Sequence, residues 1–306
     1  MNILANYDVV KINSLLKKDC EKYIMECENA YRKQLDSVVD EINAERGRVL
    51  VMLAGPSSSG KTTTARLISE KLSALGRSTL VVSLDDFYLE QDIPRTFEDG
   101  TVDYETVEAL DTVLITSCLG ELINEGESLM PRFCFKSKKR SHTEKVTVKS
   151  DAVVIVEGLH ALNPVITDPL QGEKMKKYYV NVSSRITDGS EVLFLKRDLR
   201  FIRRLIRDFY HRNSEVEYTF YLWRGVRMGE DRYLFPYSHL ADRKIDSIHP
   251  YEVGLFKDAA ITLLDRVGEE STYYENAQQL KQRLNCFVSV DKGLMPENSL
   301  LREFIG

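Results

Sequence analysis

Residues 54–65 read "AGPSSSGKTTTA", and the apolar run "VLVMLA" (49–54) leads straight into them. Gly55, Gly60, Lys61 and Thr62 stand at the spacing G-x-x-x-x-G-K-[ST], and the amphipathic stretch "KTTTARLISEKLSAL" (61–75) follows. Strand, glycine-rich loop and helix in that order form a cradle whose backbone N–H groups surround phosphate oxygens at a helix N-terminus. Gly55, Ser57, Ser58, Ser59, Gly60, Lys61, Thr62 and Thr63 are therefore the expected phosphate contacts. Lys61 is expected to reach the β- and γ-phosphates and the Thr62 hydroxyl to ligate Mg²⁺. A chance Gly/Ser-rich turn would lack this frame of buried strand and helix. The motif points to a nucleoside triphosphate without saying what the phosphate is used for.

Outward from the loop, short β-branched runs alternate with longer helical patterns. "RVLVMLA" (48–54), "STLVVSL" (78–84), "DAVVIVE" (151–157) and "KYYVNVS" (177–183) predict an α/β fold with a mostly parallel sheet covered by helices on both faces. "LMPRFCF" (129–135) and the strictly alternating "KVTVK" (145–149) predict a small exposed hairpin beside that sheet. Residues 11–44 are polar, periodic and free of Gly and Pro, which predicts one or two helices. "TYYENAQQLKQRLNCFV" (272–288) reads as another helix before an irregular tail. The expected organisation is an N-terminal helical extension (1–46), a P-loop domain (47–268), and a C-terminal helix and tail packed on it (269–306).

Composition sets the bounds. Of 306 residues, 43% are hydrophobic and 29% charged, as in a soluble protein with a sizeable core. No run is long enough to span a bilayer, and the N-terminus lacks the pattern of a secretory signal, so a cytoplasmic protein is expected. The five cysteines form no CxxC pair and share no ligand spacing with the histidines, which argues for free thiols. The net charge of −5 excludes a generic polyanion binder, yet 135–145 and 195–208 are strongly basic. Basic patches in an acidic chain suit a small phosphorylated ligand better than nucleic acid.

In an open parallel sheet, ligands bind outside the carboxyl ends of the strands. "STLVVSL" leads into Asp85 and Asp86, and "DAVVIVE" ends in Glu157, on the edge that the phosphate loop marks. Acids beside phosphates repel unless Mg²⁺ lies between them. Asp85 is the expected base for an attacking hydroxyl and Glu157 an expected metal partner. Asp86 reads equally well as a helix cap.

In 195–212, Leu195, Leu199, Ile202, Ile206 and Phe209 fall on one helical stripe. Lys196, Arg200, Arg203, Arg204 and Arg207 fall on the next, with Asp198 and Asp208 outside the basic arc. Five unpaired cations on one face would repel each other, which favours an arginine-rich lid over a polyanion. Arg212, expected just past the helix, is another candidate. A solvated charged face, or nucleic-acid binding without a recognisable motif, are the competing uses.

"GPSSSGKTT" (55–63), "SLDDFY" (83–88), "VDYETVEALD" (102–111), "VIVEGLHALNP" (154–164) and "RDLRFIRRLIRDFYHRN" (197–213) occur in the order seen in the uridine kinase and phosphoribulokinase family. The chain resembles that family from about Arg48 onward. "WRGVRMGED" (223–231), "LFPYSHLAD" (234–242) and "NSLLREFIG" (298–306) resemble its bacterial nucleoside kinase branch, often fused to a threonyl-tRNA-synthetase-like N-terminal region. That resemblance implies an ATP- and Mg²⁺-dependent kinase. It implies Asp85 as base, Tyr88 beside the acceptor, and Tyr104 and Glu105 at the ribose hydroxyls. It also implies Arg204, Arg207 and Arg212 on substrate and phosphates. The family is often oligomeric, so a homo-oligomer is a further expectation.

Three places depart from uridine-cytidine kinases. Phe133-Cys134-Phe135 replaces a Tyr-Asp-Phe segment, Lys138 stands where a His reads the pyrimidine, and Leu222 replaces a polar residue. Lys only donates, whereas neutral His can also accept, so the hydrogen-bond code for the acceptor changes. The preferred expectation is a kinase phosphorylating a hydroxyl of a nucleoside-like small molecule. A same-fold kinase of another hydroxyl compound or sugar phosphate, gripped by Lys138, Lys139 and Arg140, is the alternative. A non-catalytic nucleotide sensor is the third, disfavoured because a sensor needs no hydroxyl-facing base.

Overall fold

The computed structural model describes residues 5–90, 95–134 and 137–306. In chain order it begins with β1 (Asn6–Asp8), α1 (Val9–Lys18), α2 (Cys20–Asn43), β2 (Val49–Ala54) and α3 (Lys61–Ala74). Next come β3 (Thr79–Ser83), α4 (Thr112–Asn124), the hairpin strands β4 (Glu127–Cys134) and β5 (Lys139–Thr147), β6 (Val153–Glu157) and α5 (Pro164–Thr167). β7 (Met175–Asn181), β8 (Arg185–Asp188), β9 (Glu191–Phe194), α6 (Lys196–Arg212) and α7 (Val216–Gly229) follow. β10 (Arg243–Asp246), α8 (Glu252–Leu264), α9 (Tyr274–Leu284) and α10 (Arg302–Ile305) complete the described elements.

Five parallel strands form the central sheet in the order β10-β7-β2-β6-β3. β2 lies in its middle and every one of its residues is buried, because helices cover both faces. Its side chains alternate between two cores. Val49, Val51 and Leu53 join one apolar cluster with α2, α3, α6 and α8, while Leu50, Met52 and Ala54 join the other with α4. The register aligns Leu53 with Glu157, and Glu157 with Ser83. Three strand ends are thereby brought to one edge, where Gly55 and Leu84 begin the following loops.

The hairpin expected from "LMPRFCF" and "KVTVK" is present as β4 and β5, antiparallel and separate from the central sheet. Phe135 lies outside the described residues. Two features were not read from sequence. β10 is only four residues and pairs with β7 at the sheet's edge, and β1 pairs with β8 in a small sheet with β9. The expected N-terminal helices are α1 and α2, split where Asp19 caps α2 by accepting from Lys22 N–H. One apolar cluster contains both Val9 and Phe304, so the two ends of the described chain share a core.

The basic helix is packed into that core: Leu199, Ile202, Leu205 and Ile206 of α6 are buried. Leu195, expected in the apolar stripe, is 53% exposed, because it precedes the helix as its N-cap. The expected row of five unpaired cations is corrected too. Arg200 pairs with Glu230 and Arg203 with Glu252, both at 2.6 Å and with essentially no exposure. Lys196 lies 5.7 Å from the Phe235 ring centroid. Arg204 and Arg207 contact Asp208 at 3.1 and 2.7 Å, so this acid lies within the arginine face. A buried guanidinium needs a partner, and distant segments supply those acids.

Candidate active site

The site begins with the strain-tolerant turn after β2. A Cβ on Gly55 would lie 2.4 Å from Val180 O, so only glycine lets the loop pass β7. Gly60 has φ +85° and caps α3. Thr64 N–H makes the first intrahelical bond, to Gly60 O at 2.9 Å. The N–H groups of Lys61, Thr62 and Thr63 therefore precede the helical ladder, the arrangement that receives anions. Ser58 and Ser59 carry buried hydroxyls without a protein partner.

Arginines and acids fix this loop from behind. Arg200 donates to Ser57 O at 2.9 Å, and Glu230 accepts Ser57 N–H at 2.9 Å. Arg203 reaches Ser58 O at 3.4 Å, while Arg204 donates to the Ser57 hydroxyl at 2.8 Å. From the far side, Thr63 donates to Glu303 at 2.7 Å, and Tyr31 OH and Thr64 Oγ1 lie 2.7 Å apart.

In front of the loop lies a cleft of about 190 Å³. Ser57, Lys61, Asp85, Tyr88, Glu105 and the guanidinium groups of Arg204, Arg207 and Arg212 line it. All had been singled out from sequence. Asp85 is exposed in the 3₁₀ turn after β3. Its neighbour Asp86 faces away, holding Arg132 at 2.8 Å and accepting Phe133 N–H at 3.3 Å, and so ties the hairpin to the turn. Tyr88 packs on Phe133, with ring centroids 5.7 Å apart, and burial followed by the charges of Asp85 and Glu105 raises its phenol.

Enclosure, then Glu230 and Asp85, pushes the Glu105 carboxyl up to about 7, against the pull of Arg204 and Lys61. His160 also lines the cleft and was missed. Its Nε2–H donates to Glu105 O at 2.9 Å, leaving Nδ1 buried and unpartnered, and burial pushes its pKa down to about 4. The available signal was its position three residues after Glu157, on the ligand edge. Tyr104 is half exposed and lies beside Tyr218 and Tyr221 instead of lining the cleft. Lys138 is an exposed residue of the hairpin turn, also off the lining. Arg140, offered as an anion grip, is engaged by Asp111 at 2.7 Å.

Glu157 tests the fit of a cation. It is 4% exposed; Oε1 accepts from Ser83 Oγ at 2.9 Å, while Oε2 is buried without a partner. Burial raises its carboxyl, opposed by Lys61. An orphan carboxylate oxygen beside the Thr62 hydroxyl suits Mg²⁺, which takes few protein ligands and completes its shell with phosphate and water. Among the described residues no cluster of three His, Cys, Asp or Glu could hold a metal alone.

Fold and site define a P-loop α/β protein with a phosphate cradle and an acid-bearing cleft. The chain belongs to the phosphoribulokinase / uridine kinase family, whose sequence profile matches residues 50–253. A uridine kinase from Deinococcus deserti is 32% identical over 169 residues, covering 55% of this chain and 72% of that protein. One from Ligilactobacillus salivarius is 33% identical over 179 residues, covering 57% and 73%. The solved structure of a candidate fructose transport system kinase from Silicibacter sp. TM1040 has a TM-score of 0.50 at 19% identity, covering 69% of this chain and 98% of that one, and so shares the fold. The chain is a phosphotransferase acting on a hydroxyl acceptor, in keeping with its family.

Proposed function

We propose that the protein transfers the γ-phosphoryl group of ATP, with Mg²⁺, to a hydroxyl of a nucleoside-like small molecule. The observation that carries this reading is one cleft holding Lys61, Asp85, Glu105 and three arginines at the carboxyl edge of the parallel sheet. The acceptor oxygen attacks the γ-phosphorus, the bond to the β–γ bridging oxygen breaks, and the hydroxyl proton passes to Asp85. Lys61, Arg204, Arg207 and Arg212 stabilise the charge on the transferring group. Thr62 and Glu157 would hold Mg²⁺, which neutralises phosphate charge when bound. Tyr88 walls the acceptor side, and Glu105 accepts hydrogen bonds from acceptor hydroxyls.

The relatives named above as uridine kinases support a nucleoside acceptor. An anion-gripping role for the hairpin is weakened, since Arg140 is bound to Asp111 and Lys138 is off the cleft. Among the described residues no helix is long and apolar enough to cross a membrane. The test is ADP release from Mg²⁺-ATP against uridine, cytidine, purine nucleosides, ribulose 5-phosphate and glycerate, with Asp85→Asn as control. Nucleoside-dependent turnover lost by about 10²–10⁴ in that variant, with ATP affinity kept, is the expected result. Turnover only with a non-nucleoside acceptor would replace the acceptor assignment, and full activity in Asp85→Asn would remove the base.

A further inference from the structure

The stretch "WRGVRMGED" (223–231) enters the cleft chemistry only through Glu230. α7 gives it two faces. On one, Gly225 and Gly229 approach the loop before the cleft so closely that a Cβ would meet Val102 O at 2.9 Å and Glu105 Cβ at 2.4 Å. The other face opens onto a cavity of about 500 Å³ between α6, α7 and α9, compared with about 190 Å³ for the cleft.

Aromatic rings form one wall of that cavity. Phe201 lies 4.6 Å from Phe220 and 5.6 Å from Trp223, centroid to centroid, and Phe220 stacks on Tyr273 at 5.3 Å. Three arginines are also on the lining. Arg283 is held by Asp198 at 3.0 Å, and Arg224 by Asp99 at 2.6 Å. Asp231, the other acid on the lining, is paired with Arg197. Arg227 is exposed on the lining and, among the described residues, its side chain has no ion pair or hydrogen bond. An aromatic wall, its Phe220 and Trp223 rings tilted 55° and 51° to Phe201, beside an uncommitted guanidinium favours an aromatic ring that carries an anionic group.

We propose that this cavity is a second ligand site, for an aromatic anion, whose occupancy is felt at the phosphate loop. The ring would stack on the Phe220–Trp223 wall and the anion would pair with Arg227. The coupling passes through Trp223, whose ring centroid is 5.4 Å from the Arg200 guanidinium. Arg200 in turn holds Ser57 O and both oxygens of Glu230. An occupant pressed against Trp223 therefore bears on the group that supports the loop. Only this coupling rests on the kinase reading; binding at the cavity does not.

Trp223 is the one tryptophan of the chain, so its fluorescence reports the cavity. The probe is 8-anilinonaphthalene-1-sulfonate, an aromatic monoanion with a planar naphthalene ring, titrated into the full chain. Expected are saturable quenching of Trp223 with energy transfer to the dye, and dye affinity weakened about tenfold or more by Arg227→Ala and largely restored by Arg227→Lys. Lys61→Ala, which changes the cleft, should leave dye affinity within about twofold. Unsaturable quenching, indifference to Arg227→Ala, or loss in Lys61→Ala overturns the site. Displacement of the dye by anthranilate alone assigns a compact aryl carboxylate, displacement by uridine 5′-monophosphate alone a nucleotide, and displacement by neither overturns the anion chemistry. Calorimetric ATP affinity should shift about threefold or more when the dye is bound. Dye binding with unchanged ATP affinity overturns the coupling, and absent ATP binding in dye-free protein falls on the kinase reading instead.

Discussion

Glu230 grips Arg200 with both carboxylate oxygens, at 2.6 and 2.7 Å, and the oxygen nearer Arg200 Nη1 also accepts the Ser57 N–H at 2.9 Å. This sealed pair makes the loop's first turn depend on a residue 173 positions later in the chain. Removing one partner of such a pair strands a buried charge. Glu230→Gln is expected to lower folding stability by about 3–5 kcal/mol and to weaken ATP binding with it. Denaturant midpoints and calorimetric ATP titration check both; an unchanged midpoint would mean that water or movement satisfies Arg200.

Lys61 faces the cleft from the first position of α3. Lys61→Ala is expected to abolish transfer and to erase most of the thermal stabilisation that Mg²⁺-ATP gives the wild type, since a ligand that binds only the folded state stabilises it in proportion to occupancy. A thermal-shift titration measures it. Retained stabilisation with lost turnover would confine Lys61 to the transition state.

Glu105 supplies a pH dependence. With its folded pKa pushed up to about 7, it binds a proton in the folded chain at pH values where the unfolded chain has released it. Its contribution to stability is therefore fullest below the ordinary carboxylate range and declines as pH rises toward about 7. Glu105→Gln should remove that decline from melting curves taken between those limits. In kinetics, kcat/KM for the acceptor should rise through pH about 7 in the wild type, and Glu105→Gln should flatten the rise. A profile unchanged by the substitution would assign the ionisation elsewhere.

The tail is expected to matter for stability. Leu300, Leu301 and Phe304 are fully buried, and Phe304 lies 5.2 Å from the Arg203 guanidinium. Phe304→Ala should cost about 3–5 kcal/mol through the cavity it opens. Glu303→Gln, which keeps a side chain able to bond Thr63, should cost no more than about 1 kcal/mol. Denaturant midpoints separate the two; equal effects would point to the Thr63 bond as the tail's main anchor.

Much of the fold was legible from residues 54–65 because a phosphate loop is local: glycine φ values, the preceding strand and the following helix all lie within one short stretch. The buried strands were legible for a similar reason, since a sheet covered on both faces needs continuous apolar runs. Lys61 could be singled out from the loop motif, Asp85 because the loop marks the ligand edge, the arginines of the cleft because they fall at the end of a basic helical face, and Glu105 only through the family resemblance. β10 could not, being four residues whose strand identity comes from pairing with β7. Asp86 had two open readings in sequence, and only the position of Arg132 turned it toward the hairpin.

The arginine helix divides the two sources most clearly. Sequence determined that α6 is amphipathic and that its cations share a face, because helical spacing alone sets which side chains lie together. Tertiary structure decided that Arg200 and Arg203 are sealed behind the loop by Glu230 and Glu252, leaving Arg204, Arg207 and Arg212 on the cleft. A charge's role depends on which opposite charge lies within a few ångströms. Where partners are brought together from distant segments, only the folded chain fixes that distance.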